Sequence, residues 1–495
     1  MKKDTYKKII TSGIVLVFLG LVITPAINAS VTVPYYFKNQ LKETNIVSSN
    51  FDDYKLLIIT PGKFAKSLQP LVDHKNASNM PTVLVTLDEV YNQISEGRDD
   101  AEKVKYFIKG AIESWGIEYV LLVGGMKGQG SLLRYLIYRE FPWHFPVRYV
   151  YMEDDFEDRY LSDLYFADIY DNEGNFSSWD SDNDGRFGEW FGDEAEDKDI
   201  DLYPDVAVGR IPARYGFEVS TVVKRIIDYE ENTYGKDWFN KMVVVAGDTY
   251  LESGNPNWTG YEGEIYAEEA LNMTGFEPVR LYTSDGSFTG PSDVFNAVNQ
   301  GCGLLYFVGH GNPQLWSTHP PDEFVWIHGP NIYDMYKFKN NNMLPVCVVS
   351  GCHNSQFDVS LLKYLDEIAR YHSENAPECW SWWITRAFRG GSVATIGVSA
   401  LGLTKEDKPS FAGGINWLEV KFFDHYGQND TTILGDTWSA ALETYLDVYS
   451  PIDWNTPAGF NNELGYYHSD SFVDVKVVQS WVLFGDPSLR IGGIQ

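Results

Sequence analysis

Two short stretches carry the residue types that a thiol-dependent hydrolase needs. Leu304-Leu-Tyr-Phe-Val-Gly-His-Gly311 reads as an apolar strand ending in His310 between two glycines, and Leu344-Pro-Val-Cys-Val-Val-Ser-Gly-Cys352 as a second one ending in Cys352. At the carboxyl ends of neighbouring parallel strands, both residues would face one crevice, which is where open parallel sheets bind ligands. A cysteine near its ordinary pKa is only a few per cent thiolate at neutral pH, so an adjacent imidazole must take its proton and later protonate a leaving amine. The tetrahedral oxyanion requires fixed donors, and the backbone N–H groups of Gly311 and Cys352 are the candidates. Spacing alone leaves a second reading open, in which a histidine and a cysteine end core strands only for packing.

The elements that must hold this pair are legible as apolar runs. Leu56 to Thr60, Val83 to Leu87, Tyr119 to Val123, Val243 to Ala246, Leu304 to Val308, Val346 to Val349, Val393 to Ile396 and Trp481 to Phe484 are short and rich in β-branched residues, as strands buried on both faces are. Between them lie helical stripes, one of Val104, Phe107, Ile108, Ala111, Ile112 and Trp115, another of Val219, Val222, Val223, Ile226 and Ile227. Alternation of this kind predicts an α/β fold with mostly parallel sheets and flanking helices. The pattern divides into two α/β subdomains, 49–234 and a catalytic 235–495. The first contains a strongly acidic segment, Glu153 to Asp201, with 19 acidic residues against Arg159, Arg186 and Lys198.

Within that segment, Asp180-Ser-Asp-Asn-Asp-Gly185 places carboxylates at alternate positions before a turn glycine, like the first half of an EF-hand loop. Phe191 stands where the closing Glu of such a loop belongs, so Glu189 or Asp193 would have to close a non-standard site. Asp180, Asp182, Asp184 and Glu189 are therefore the expected ligands of a structural Ca2+, which would offset the mutual repulsion of so many acids. A solvated acidic loop is the alternative.

Composition narrows the setting. Of the 495 residues, 44% are hydrophobic and 15% aromatic, enough for a large core, and the formal net charge of −30 argues against nucleic-acid partners and anionic membrane surfaces. Lys2, Lys3, Lys7 and Lys8 precede an apolar run from Ile9 to Ile23, and small residues follow to Ala29. Residues 1–29 thus read as a signal peptide or an N-terminal anchor, 30–48 as a short extension, and the rest of the chain as secreted or cell-surface. Four cysteines do not make a disulfide framework. Cys302 and Cys379 could be paired or be buried thiols, a zinc site around Cys352, His353 and Cys347 lacks a local fourth ligand, and His319, His328 and His372 read as surface residues.

The residues also resemble a family. Gly309-His-Gly-Asn-Pro-Gln-Leu-Trp316 and Val346-Cys-Val-Val-Ser-Gly-Cys352 are similar to the catalytic His and Cys segments of gingipain-type cysteine peptidases, relatives of caspases and legumains. Ser162-Asp-Leu-Tyr-Phe-Ala-Asp168, Asp201-Leu-Tyr-Pro-Asp-Val-Ala-Val-Gly-Arg-Ile-Pro212 and Phe484-Gly-Asp-Pro-Ser-Leu489 resemble further segments of that family. The resemblance implies a caspase-like fold, protein or peptide substrates and no organic cofactor. It implies Cys352 as nucleophile, His310 as acid and base, Gly311 in the oxyanion hole and Asp163 as the acid that orients His310, with one more solvated acid as the alternative for Asp163. Trp316 and Gly351 are expected to line the substrate site. Asp201 matches an Asp at the bottom of an Arg-selective pocket, which implies a preference for Arg or Lys. Calcium ligation, or an ion pair with Arg210 or Arg214, is open to it as well. No Trp follows Gly390-Gly-Ser-Val-Ala-Thr-Ile-Gly-Val-Ser399 where the Arg-specific members carry a pocket lid. An inactive, calcium-stabilised extracellular binding protein of the same fold is the competing expectation.

Overall fold

A computed structural model describes residues 53–138, 141–154, 156–198, 200–249, 259–405, 413–429, 431–458 and 469–495. The expectations for 1–29 and 30–48 lie outside these residues. All eight apolar runs form strands, and two more join them. In chain order they are β1 (Leu56–Thr60), β2 (Thr82–Thr86), β3 (Tyr119–Val123), β4 (Ala207–Ile211), β5 (Lys241–Ala246), β6 (Glu277–Tyr282), β7 (Leu304–Val308), β8 (Val346–Ser350), β9 (Ala394–Val398) and β10 (Trp481–Phe484).

These strands make one sheet in the order β6-β5-β7-β8-β9-β10-β4-β3-β1-β2. The two expected halves contribute four and six strands to it, and they meet where Phe484 of β10 pairs with Arg210 of β4. Every neighbouring pair is parallel except β9 and β10. That single antiparallel step reverses the direction of β10, β4, β3, β1 and β2 relative to β5 through β9. The carboxyl ends of β7, β8 and β9 therefore emerge at the end of the sheet where the chain enters β4, which brings the acidic segment before β4 toward the expected catalytic tips.

The strands sit in the sheet because their side chains are apolar on both faces. β1, β3, β7, β8 and β9 are buried at every position. Helices cover the sheet: Gly62–Ala77 packs against Gly216–Asn232, and Glu262–Thr274 against Ile415–Gln428. The closing Phe484-Gly-Asp-Pro segment has a structural task. Its Asp486 and helix residue Glu230 both pair with the buried Lys75, at 2.8 Å each. Three distant stretches of chain thereby share one buried cation whose charge is compensated, as a buried charge requires.

No helix among the described residues is long and apolar enough to cross a membrane. All four cysteines are free, and Cys302, Cys347 and Cys379 are buried thiols.

Candidate active site

The register of β7 on β8 aligns Val308 with Ser350. His310 and Cys352 each follow two residues later, so they leave adjoining strand tips side by side. Their turns are in close approach: a Cβ on Gly351 would lie 3.1 Å from the Gly311 Cα and 2.2 Å from Asn354 Oδ1. A Cβ on Gly311 would meet the same amide oxygen at 2.4 Å, so a larger residue at either place would push the Asn354 amide aside. The buried Asn354 amide then bonds the two turns together, donating to the Asn312 carbonyl at 2.7 Å and to the Leu315 carbonyl at 3.1 Å. Sequence reasoning passed over Asn354; its signal was a polar amide two residues past a candidate nucleophile.

Beyond its turn, the chain from His310 continues into a three-stranded antiparallel ribbon, His310–Asn312, Leu315–Thr318 and Ile327–Asn331. The imidazole lies on the β5 side, beside the Thr249 backbone and the His319 and Trp326 rings. His319, expected at the surface, is buried beside it, with ring centroids 5.7 Å apart. Burial, and next the neighbouring His319, push the His310 pKa down to about 4, so the ring is neutral at physiological pH. Its Nε2 is buried and makes no hydrogen bond.

The Cys352 thiol leans the other way, toward the chain that leaves β9. Its Sγ accepts a hydrogen bond from the Gly402 N–H at 3.4 Å. Burial raises its pKa, the Gly402 N–H opposes this, and Glu157 adds to the rise, so the resting group is a thiol. His310 and Cys352 thus leave the adjoining tips of β7 and β8, the imidazole toward the β5 side and the sulfur toward the Gly402 N–H.

A charged support lies under the cysteine. Glu157 Oε2 faces His353 Nε2 at 3.1 Å, and Glu157 Oε1 accepts from the Leu401 N–H at 2.7 Å and from Lys476 Nζ at 2.8 Å. The buried Lys476 also pairs with Asp154. Burial alone would raise the Glu157 pKa, but Lys476 and then His353 hold it at about 2. One carboxylate of the acidic segment thereby fixes both chain stretches that contact Cys352. His353, a candidate metal ligand by sequence, instead faces Glu157 across this 3.1 Å contact.

Two expected roles are corrected by geometry. Asp163 does not orient His310: its carboxylate is committed to Arg210, which donates from Nε and Nη2 at 2.6 Å each. Arg210 is fully buried among Phe145, Phe166 and Phe357, so the bidentate pair closes the charge of β4. Trp316 does not touch substrate space: it is fully buried, packs on Phe307 and donates Nε1 to the Ser350 carbonyl at 3.0 Å. Gly351 is buried too and serves the close approach described above.

Asp201 lies with other acids. Burial first, then Asp205 and Asp171, raise its pKa to about 6, while the buried Lys105 lowers it. Its Oδ1 accepts from the Tyr203 N–H at 3.1 Å. These neighbours all belong to the 100–205 stretch.

The acidic loop brings its carboxylates together. Asp180, Asp182 and Asp184 offer oxygens within 4.8 Å of one another, and so do Asp182, Glu189 and Glu196. Asp180 is also held by Arg98 and accepts from the Asp184 and Gly185 N–H groups. Glu189 is only 1% exposed. Burial, opposed by Arg186 and reinforced by Asp184, Glu196 and Asp197, lifts its pKa to about 7. A carboxylate raised by burial first and by neighbouring acids next fits the donor set of a hard cation such as Ca2+.

The architecture is that of the caspase-like α/β proteins: a large, mostly parallel sheet with a His tip and a Cys tip on neighbouring strands. The chain belongs to peptidase family C25, whose model matches residues 49–492. Gingipain R2 of Porphyromonas gingivalis is 20% identical over 88% of this chain and 46% of its own length. An uncharacterised protein of Archaeoglobus fulgidus is 28% identical over 50% of this chain and 60% of its own. The crystal structure of the Arg-specific cysteine proteinase gingipain R superimposes with a TM-score of 0.58 at 17% identity, covering 90% of this chain and 79% of that one. The chain spans about half the length of the gingipain R2 sequence it matches.

Proposed function

We propose that this chain is an exported cysteine endopeptidase. On substrate binding the Cys352 thiol leaves the Gly402 N–H and attacks the scissile carbonyl, while His310, neutral and with a lone pair free to accept a proton, takes the one from sulfur. The same imidazole returns that proton to the departing amine as the carbon–nitrogen bond breaks, leaving a thioester on Cys352. Water, deprotonated by His310, then cleaves the thioester. The N–H groups of Gly311 and Cys352 stabilise the oxyanion. The observation that carries this reading is the register that sets His310 and Cys352 beyond the aligned pair Val308 and Ser350, with Asn354 tying their turns. Membership of a peptidase family agrees with it, and the N-terminal Lys-rich and apolar pattern is the ground for export.

Preference for Arg or Lys before the scissile bond is the accompanying specificity reading. It is supported by the Arg specificity stated for the gingipain R structure and by the net charge of −30. A structural Ca2+ on Asp182, Glu189 and Glu196, with Asp180 and Asp184 beside them, completes the account and would tie the acidic loop without touching the chemistry. The competing reading, an inactive calcium-stabilised binding protein, is favoured by one observation, that the thiol's partner is Gly402 and not His310.

Selective labelling separates the two. A peptidyl chloromethyl ketone should alkylate Cys352 far faster than the buried Cys302, Cys347 and Cys379, and His310→Ala should abolish that advantage. Equal, slow labelling of all four thiols would favour the inactive binding protein.

A further inference from the structure

Next to His310, three consecutive apolar residues stand in solvent: Phe324, Val325 and Trp326 are 74%, 58% and 50% exposed. Isolated exposed apolar side chains are ordinary, but a contiguous group at a functional site marks a contact surface. The Trp326 indole stands perpendicular to the His310 ring at 5.2 Å and lies 3.7 Å from the His319 ring.

The loop that carries these residues is fixed in place. The Asp248 N–H donates to the His319 carbonyl at 2.9 Å, the Asp322 N–H to Asp248 Oδ2 at 3.0 Å and the Glu323 N–H to the Pro320 carbonyl at 3.2 Å. The buried His319 ring faces the carbonyls of Glu323 and Val325 from beneath. The exposed triplet is thus held by the same β5 tip that orients His310, and ordering costs of binding to it are small.

Strand order gives this patch a direction. Cys352 leaves β8 and leans toward the chain after β9, whereas His310 leaves β7 and leans toward β5. A substrate whose carbonyl carbon sits at the sulfur and whose amide nitrogen sits at the imidazole continues, after the scissile bond, onto the β5 side. We propose that Trp326, with Phe324 and Val325, forms the subsite for the residue immediately after the scissile bond and selects large apolar side chains there. This rests on the peptidase reading above.

The test uses the full-length protein and quenched peptides identical before the scissile bond but with Gly, Ala, Leu or Phe directly after it. In the wild type, kcat/KM for Leu and Phe should exceed that for Gly by about tenfold or more, the discrimination an apolar pocket supplies. Trp326→Ala should compress the ratio to within about threefold, and Trp326→Phe should preserve it. A merely structural role for Trp326 would lower all four peptides together and leave the ratio unchanged. A flat wild-type profile, or a ratio that survives both Trp326→Ala and Phe324→Ala, overturns the subsite alone. Absence of any Cys352-dependent cleavage in the wild type overturns the peptidase reading and the subsite with it.

Discussion

Asn354 donates its side-chain amide to the Asn312 carbonyl at 2.7 Å, so the turn that carries Cys352 is bonded to the turn that carries His310. The bond is buried and two glycines make room for it, which makes the separation of the two tips a property of one side chain. Asn354→Ala leaves the Asn312 and Leu315 carbonyls short of a donor and should cost about 1–3 kcal/mol of stability. The denaturant midpoint checks the cost. Alkylation of Cys352 by a substrate-like chloromethyl ketone should slow as well, whereas reaction with iodoacetamide, which needs no alignment, should change little.

Asp163 predicts a different signature. Because its carboxylate closes the charge of the buried Arg210, Asp163→Ala strands a guanidinium and should destabilise the fold by about 3–5 kcal/mol. Replacing both partners, as Asp163→Leu with Arg210→Met, should recover most of that loss and restore turnover. An Asp163→Asn variant with unchanged melting temperature but lost kcat would instead return Asp163 to an orienting role.

The imidazole sets the pH range. With His310 held at about 4 by burial and His319, the base is available above that value, and the raised Cys352 thiol stays protonated through neutrality. The acidic limb of kcat/KM should therefore fall near pH 4 and not near pH 6.5, with no fall on the alkaline side below pH 9. Stability follows the same group. The unfolded histidine binds a proton below about 6.5 and the folded one only below about 4, so this contribution is full above 6.5 and is lost as pH drops through that interval.

Much of this arrangement was legible in the residues. Continuous apolar runs located eight of the ten strands of the large sheet, because strands buried on both faces leave no periodicity to misread. The two missed strands show why the rest was hidden. β4 contains Gly209 and the charged Arg210, whose charge is compensated by Asp163 from another loop, and β6 begins with the exposed Glu277 and Pro278. His310 and Cys352 stood out because glycines flank strand ends. Asp163, Trp316 and His319 were misjudged because their roles depend on Arg210, on the Ser350 carbonyl and on the β5 tip, partners that chain order does not place beside them.

Calcium should act through the acidic loop. Glu189 carries a pKa raised to about 7, so without a cation the folded state holds its proton more tightly than the unfolded one, and stability falls as pH rises from about 4.5 to 7. Ca2+ must displace that proton, so affinity for the ion should rise with pH up to about 7 and then level off. Calorimetric titration across pH 5 to 8 reads this directly. Glu189→Gln should weaken binding and flatten the pH dependence, and a chelator should lower the melting temperature of the wild type more than that of the variant.

The account stands on the sulfur of residue 352 acting with the imidazole of residue 310. The most direct measurement is cleavage of a diverse peptide mixture by wild type, Cys352→Ala and His310→Ala, with the fragments read by mass spectrometry. The account predicts discrete cuts by the wild type and a loss of at least about a thousandfold in rate for each variant. Undiminished cutting by folded Cys352→Ala would contradict it.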